Sequence, residues 1–263
     1  MKFKMIDKEK KGFARYCPTF ARAFDVMAEG VTNLKVRRLV KKLGDEDSKL
    51  RASAAEALGS APKKGAFITD AIPALVKALG DENSEVQYNT VETLGTAAWD
   101  GIDITVAIPA LAKMLGDENP DVRNNAAFTI WKAARQGADI VAAIPALVIA
   151  IEDVDVNVRG HTVLALNNAA EKGTDITVAI PALVIALSDE QAAIRDESAR
   201  ALGNAVEKGG HETRFAFTKG IIDITNSDWL MREAEKNSDA FIDSVKNVDN
   251  LLRKIDEMER KAA

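Results

Sequence analysis

Apolar residues in the middle of the chain recur at helical intervals in short paired runs. One run is Ile108, Leu111, Ala112 and Leu115; after the turn-forming segment Gly116-Asp117-Glu118-Asn119-Pro120 comes a second, Val122, Ala126, Ala127, Ile130 and Ala133. The pattern predicts two amphipathic helices joined by a tight turn whose acidic residues can cap the second helix. A longer break, Gly137-Ala138-Asp139, closes the second helix at a glycine able to take positive φ. Asp103 or Thr105, and Asp175 or Thr177, are the candidate N-caps of the helices that follow such breaks. With Thr105 as cap, Pro109 falls in the first turn, where its missing N–H is harmless; with Asp103 as cap, it would bend the helix.

The pair is repeated. Ile-Pro-Ala-Leu occurs at 72–75, 108–111, 144–147 and 180–183, each 36 residues after the last. Sliding by the same interval aligns Asp45, Asp81, Asp117, Asp153 and Asp189, and likewise Gly65, Gly101, Gly137, Gly173 and Gly209. A unit starting near Val36 lacks the proline, but Leu39 and Leu58 match Leu75 and Leu94. Five units therefore span about Val36 to Gly210. A single helix pair cannot bury its apolar stripe, whereas stacked pairs form a continuous core with contacts only between neighbours. The expected fold is all-α, an α-α superhelix drawn out as a curved rod.

These columns resemble the HEAT repeat, particularly the short form of phycobilisome-lyase-like repeat proteins, over roughly two thirds of the chain. The resemblance rests on Ile-Pro-Ala-Leu, on Gly-Asp-Glu, and on an Asp followed six residues later by Arg: Asp45/Arg51, Asp117/Arg123, Asp153/Arg159 and Asp189/Arg195. It implies that these Asp and Arg residues form a hydrogen-bonded ladder along the stack. Gln87, paired with Asp81, keeps a donor but lacks the charge, so that rung is expected to be weaker. The resemblance also implies that the second helix of each pair lines the concave face. It leaves function open among scaffolds, adaptors, chromophore-lyase subunits and occasional enzymes.

Composition agrees with packed helices. Of 263 residues, 47% are hydrophobic and 29% charged, with only 7 prolines and 16 glycines, which excludes a disordered chain. Aromatics make up only 5%, so Ala, Leu, Ile and Val must fill the interior. The single cysteine, Cys17, cannot form an intrachain disulfide, and the amino-terminal MKFKMIDKEKKGF has no apolar stretch behind its lysines. A cytoplasmic protein without export or membrane insertion is expected. The net charge of −5 argues against nonspecific nucleic-acid binding. It is uneven, since residues 1–42 hold twelve Lys or Arg against four Asp or Glu.

Both ends leave the repeat. Residues 1–35 predict a basic helical cap, and residues 211–263 a second cap. Phe215, Phe217, Ile221 and Ile222 suggest a modified sixth pair. In the last segment Phe241, Val245, Val248, Leu252 and Ile255 form a heptad-like stripe. That helix, 238–261, either packs on its own solenoid or mediates self-association.

Candidate chemistry lies on the second helices, outside their core stripe. Equivalent positions run Glu56, Glu92, Phe128, Leu164, Arg200; a second column runs Ser53, Asn89, Asn125, His161, Glu197; a third runs Ala52, Tyr88, Asn124, Gly160, Asp196. The middle units place apolar Phe128 and Leu164 where flanking units place charge. One turn on lie Trp131, Asn167, Asn168 and Asn204. An apolar centre surrounded by Tyr88, Asn89, Asn124, Asn125, Trp131, His161, Asn168 and Asn204 suits a groove for an extended peptide, whose backbone the amides can pair. His161 and His211 are the only histidines, and no nucleotide-binding, metalloprotease or hydrolase motif occurs. The sequence thus predicts a noncatalytic protein-binding scaffold or adaptor without cofactor or metal. A tetrapyrrole-handling lyase or chaperone subunit, as the resemblance allows, and a nucleic-acid-binding HEAT-like protein are the alternatives.

Overall fold

The computed structural model describes residues 34–60 and 66–225, together with residues 250, 252, 253, 255, 257 and 260 of a helical stretch near the carboxyl end. Every regular element among them is helical. Residues 34–42 form α1. There follow α2 (Ser48–Gly59), α3 (Ala66–Thr69), α4 (Ile72–Ala78), α5 (Ser84–Trp99), α6 (Ile108–Met114), α7 (Pro120–Gln136), α8 (Ile144–Ala150), α9 (Val156–Glu171), α10 (Ile180–Ala186), α11 (Ala192–Lys208) and α12 (His211–Thr225). Each 36-residue unit is one short outer helix (α1, α4, α6, α8, α10) followed by one long inner helix (α2, α5, α7, α9, α11). The inner helices pack against one another along the whole stack, whereas the outer ones meet mainly their own partner and the turn leading into the next unit.

The core follows the repeat. Leu58, Leu94, Ile130, Leu166 and Leu202, one per inner helix, are fully buried, as are Leu75, Leu111, Leu147 and Leu183 on the outer ones. Each such side chain contributes about 2 kcal/mol of burial. Alanines such as Ala55, Ala98, Ala127, Ala134 and Ala170 let neighbouring inner helices approach closely.

Helix ends differ from the sequence expectation in two places. The first concerns the longer break. A 3-10 turn, Thr105–Ala107, Val141–Ala143 or Thr177–Ala179, precedes the outer helix of units three to five. Its lead-in is held by Asp103, Asp139 or Asp175, whose Oδ1 accepts from the N–H two residues on. Neither Asp103 nor Thr105 caps the α-helix itself: α6 starts at Ile108 with Pro109 in its first turn and no side-chain cap. Unit two has Phe67 at the Asp103 position and builds α3 instead. The second concerns the glycines. Gly101, Gly137 and Gly173 take φ of 80°, 96° and 82°, as the pattern predicts, but Gly209 has φ −76°. A Cβ at Gly209 would lie 2.5 Å from the Thr213 hydroxyl, so there the requirement is space.

The short turns carry the ladder. Asp47, Asn83, Asn119 and Asp155 cap the inner helices by accepting from their first backbone N–H groups. Two residues earlier, the repeat Asp folds its turn by accepting from the N–H of the residue two positions on. Arg51, Arg123 and Arg159 donate to two carbonyls of their own turn and, through Nε and Nη2, fork onto the Asp of the next unit. The Nε–Oδ2 distances are 2.7 Å to Asp81, 2.6 Å to Asp153 and 2.7 Å to Asp189. The side-chain pair therefore crosses the joint rather than staying within a unit. Hydrogen bonding from Arg51, opposed by burial, holds the Asp81 carboxyl below its usual range. Burial opposes ionisation of Asp153, but bonds from Arg123 and the Asp155 N–H outweigh it and hold that carboxyl low too. Gln87 donates only to the Asp81 carbonyl, at 2.7 Å, so no side-chain fork reaches Asp117. Among the described residues, Arg195 bonds its own turn alone.

At the opposite ends of the inner helices a second row of links runs backwards. Gln136 donates to the Trp99 carbonyl at 3.2 Å, Lys172 to those of Ala134 and Arg135, and Lys208 to that of Glu171. Each reaches the open C-terminal carbonyls of the preceding inner helix. The repeat columns carry no hint of this row, because Asp100, Gln136, Lys172 and Lys208 share no single residue type.

Past the last unit, α12 packs on α10 and α11 as the outer helix of a sixth unit would, with Phe217 fully buried. Phe215 is exposed. Farther on, Ile255 is only 6% exposed and belongs to the common apolar core, and Leu252 packs against it. That end of the heptad-like stripe is engaged within the chain. The amino-terminal cap up to residue 33, and Phe241, Val245 and Val248 of the stripe, lie outside the described residues.

Candidate functional site

The expected inner-face residues come together on α5, α7, α9 and α11. Phe128, Trp131 and His161 form one ring cluster: the centroids are 5.4 Å apart for Phe128 and Trp131, 4.8 Å for Phe128 and His161, and 5.8 Å for the stacked pair Trp131 and His161. All three are half-buried, as is Leu164, and Trp131 also rests on the core. They are neither fully sunk between the units nor free-standing. Asn124 Oδ1 lies 2.9 Å from His161 Nδ1, a hydrogen bond that orients the imidazole. Burial, together with the nearby charge of Lys132, lowers the His161 pKa, while Asp155 acts to raise it.

Room for the cluster comes from an exchange of residues across the joints. Gly59 and Gly95 occupy the Trp131 column in units one and two. A Cβ there would meet the hydroxyls of Thr93 and Thr129 at 2.6 and 2.9 Å. Those hydroxyls use the gap to donate to the Ala55 and Val91 carbonyls. In the next two units the column becomes Trp131 and Asn167, and the threonine opposite becomes Ala165 and Ala201. Removing the hydroxyl opens the space that a larger inner-face side chain needs.

The amides divide into engaged and open groups. Asn167 donates to Glu197 at 2.8 Å and accepts from Asn204 at 2.9 Å, while Glu197 also pairs with Arg200. Asn89 donates to the Ala52 carbonyl and Asn168 to that of Leu164. Asn125 has no side-chain hydrogen bond among the described residues, and each singly bonded amide keeps unused donor and acceptor capacity. Tyr88, 48% exposed, stands at the edge of this row.

Three further members escaped the sequence pattern. Lys132 Nζ lies 4.1 Å over the Phe128 ring and 5.8 Å over that of Trp99. The Arg135 guanidinium lies 5.0 Å over Trp99 and 5.9 Å from Trp131. Desolvation lowers the Lys132 pKa against the pull of Glu92 and Asp100. Their signal was present: Trp99 and Arg135 occupy the same column of successive units, where a cation and a ring are bound to meet across the joint.

A HEAT-repeat model matches residues 36–131 and again 108–203. The chain belongs to the HEAT-repeat family. Solved helical-repeat proteins share the HEAT chain's architecture: a designed armadillo repeat protein in complex with the peptide (KR)4 is 22% identical, covering 83% of this chain and 98% of its own, with a TM-score of 0.62. An engineered protein is 24% identical over 82% of this chain and 97% of its own, with a TM-score of 0.57. A computationally designed armadillo protein for modular peptide recognition is 21% identical, covering 81% and 98%, at 0.61. No curated protein matches the sequence. Among the described residues no helix is long and apolar enough to cross a membrane, and no group of three or more His, Cys, Asp or Glu could hold a metal ion.

Proposed function

We propose that this HEAT solenoid is a noncatalytic scaffold that binds an extended protein segment along the inner helices of units two to four. The observation that carries the reading is the half-buried group of Phe128, Trp131, His161 and Leu164. Phe128 and Leu164 stand where the flanking units have Glu56, Glu92 and Arg200, and the group is bordered by amides with spare hydrogen-bonding capacity. Apolar rings give a segment's side chains something to cover, and the amides can take its backbone. Solved proteins of this architecture include one holding a peptide. Exposed Glu56 and Glu92 break any continuous basic track for a phosphate backbone, which favours protein over nucleic acid.

The test is capture from host extract with the wild-type chain and with the double variant Phe128→Ala, Leu164→Asp. Proteins retained by the wild type should fall at least about tenfold with the variant, because central aromatic and apolar anchors dominate such interfaces. Helicity should be retained, since both side chains are only half-buried. Equal retention by the two chains would end the proposal.

A further inference from the structure

Which segment fits is written in the charges around the ring cluster. Two cations, Lys132 and Arg135, lie against the rings of Phe128, Trp99 and Trp131. Neither has a carboxylate within 4 Å among the described residues, in contrast to Arg51, Arg123, Arg159 and Arg200, which all do. Lys132 is half-buried. A desolvated ammonium without an anion is an unfavourable arrangement that a bound anion relieves. The ring faces are already covered by the protein's own cations, so a lysine or arginine from a partner would meet like charge. Glu92 and Asp100 act on Lys132 through space without pairing with it. Exposed Glu56 and Glu92 lie on one side of the cluster; exposed Glu171 and the paired Glu197 lie on the other. Among the described residues Arg195, Lys172 and Lys208 also lack a carboxylate but donate to backbone carbonyls, whereas Lys132 and Arg135, at the joint of units two and three, lie against rings.

Resting on the peptide-binding reading above, we propose that the partner segment carries an Asp or Glu side chain, that this carboxylate seats on Lys132 and Arg135, and that the adjoining residue of the segment is apolar and covers Phe128 and Leu164. The amides of Asn125 and Asn168, one unit apart on this face, are then available to the segment's backbone. Attraction between the carboxylate and a partly desolvated ammonium is stronger than between the same groups in water, and it fixes the register of the segment along the groove.

A random dodecapeptide display library selected on the full-length chain tests this. The enriched sequences should carry one acidic residue beside an apolar one. Their affinity, measured by fluorescence anisotropy on synthetic copies, should fall about tenfold in Lys132→Met, which keeps the aliphatic stem over Phe128. Melting by circular dichroism confirms that the variant is folded, and Lys132→Glu should select basic sequences instead. Enrichment of uncharged or basic sequences by the wild type, or unchanged affinity in Lys132→Met, overturns the acidic class and leaves peptide capture standing. Failure to enrich any sequence over the Trp131→Ala, Leu164→Asp chain overturns both. A wild-type dimer in light scattering that Lys132→Met dissociates would assign the face to a second copy and overturn the acidic peptide.

Discussion

The joint between units two and three is built differently from its neighbours. At the joints on either side, Arg51 and Arg123 fork onto the carboxylate of the next unit's turn, at the start of the inner helices. Between units two and three that fork is missing, because Gln87 stops at its own turn. At the far end of the same helices, Trp99 of unit two receives Lys132 and Arg135 of unit three. One joint has lost its charged pin at one end and gained ring–cation contacts at the other. The comparison separates positions that keep the repeat, such as Arg51 and Arg123, from positions that break it: Gln87 at one end of the joint and Trp99 at the other.

The sharpest way to break the comparison is to open an intact rung. Arg159→Met should destabilise the chain by about 2 kcal/mol, because it leaves the Asp189 carboxylate, only 9% exposed, with the Gln191 N–H but without its arginine. Urea unfolding measures this, and a loss below a few tenths would show that the rungs do not hold the stack. Acid should bring a smaller loss. The carboxyls of Asp81 and Asp153 titrate lower in the folded chain than in the unfolded one, so their contribution is full above the ordinary carboxylate range and disappears as pH falls through their folded values. Melting temperature should drop as the pH is taken from neutral towards 3, and the drop should be smaller in Asp153→Asn. The smallest effect is expected from repairing the odd joint. Gln87→Arg offers Asp117 the fork that its counterparts receive and should add about 1 kcal/mol. A gain would show that the rung is open only because of the residue at 87; no gain would mean that the joint itself is set apart.

Much of the fold was legible because a 36-residue period repeats helix, turn and helix with the same apolar columns. The direction of the ladder was not. Sequence places Asp153 and Arg159 in one unit, yet Arg159 contacts the backbone of its own turn and the carboxylate thirty residues on. Spacing along a chain does not show which of two equivalent carboxylates a long side chain will reach. The ring cluster was visible as an interruption of a charged column at Phe128 and Leu164. Lys132 and Arg135 were not, since their importance lies in contacts with rings of the same and the preceding unit rather than in their own periodicity. Asn167 and Asn204 illustrate the reverse: a conspicuous row of amides that the chain partly spends on its own Glu197.

The forward-reaching arginines and the backward-reaching Gln136, Lys172 and Lys208 constrain how such a gene can change length. Arginine meets its acid thirty residues ahead, while the lysines and glutamine meet their carbonyls 37 or 38 residues behind. Both offsets survive duplication or loss of one whole 36-residue block, and neither survives an insertion of any other size within a long helix. Growth by complete blocks lengthens the stack without severing the cross-links already in place.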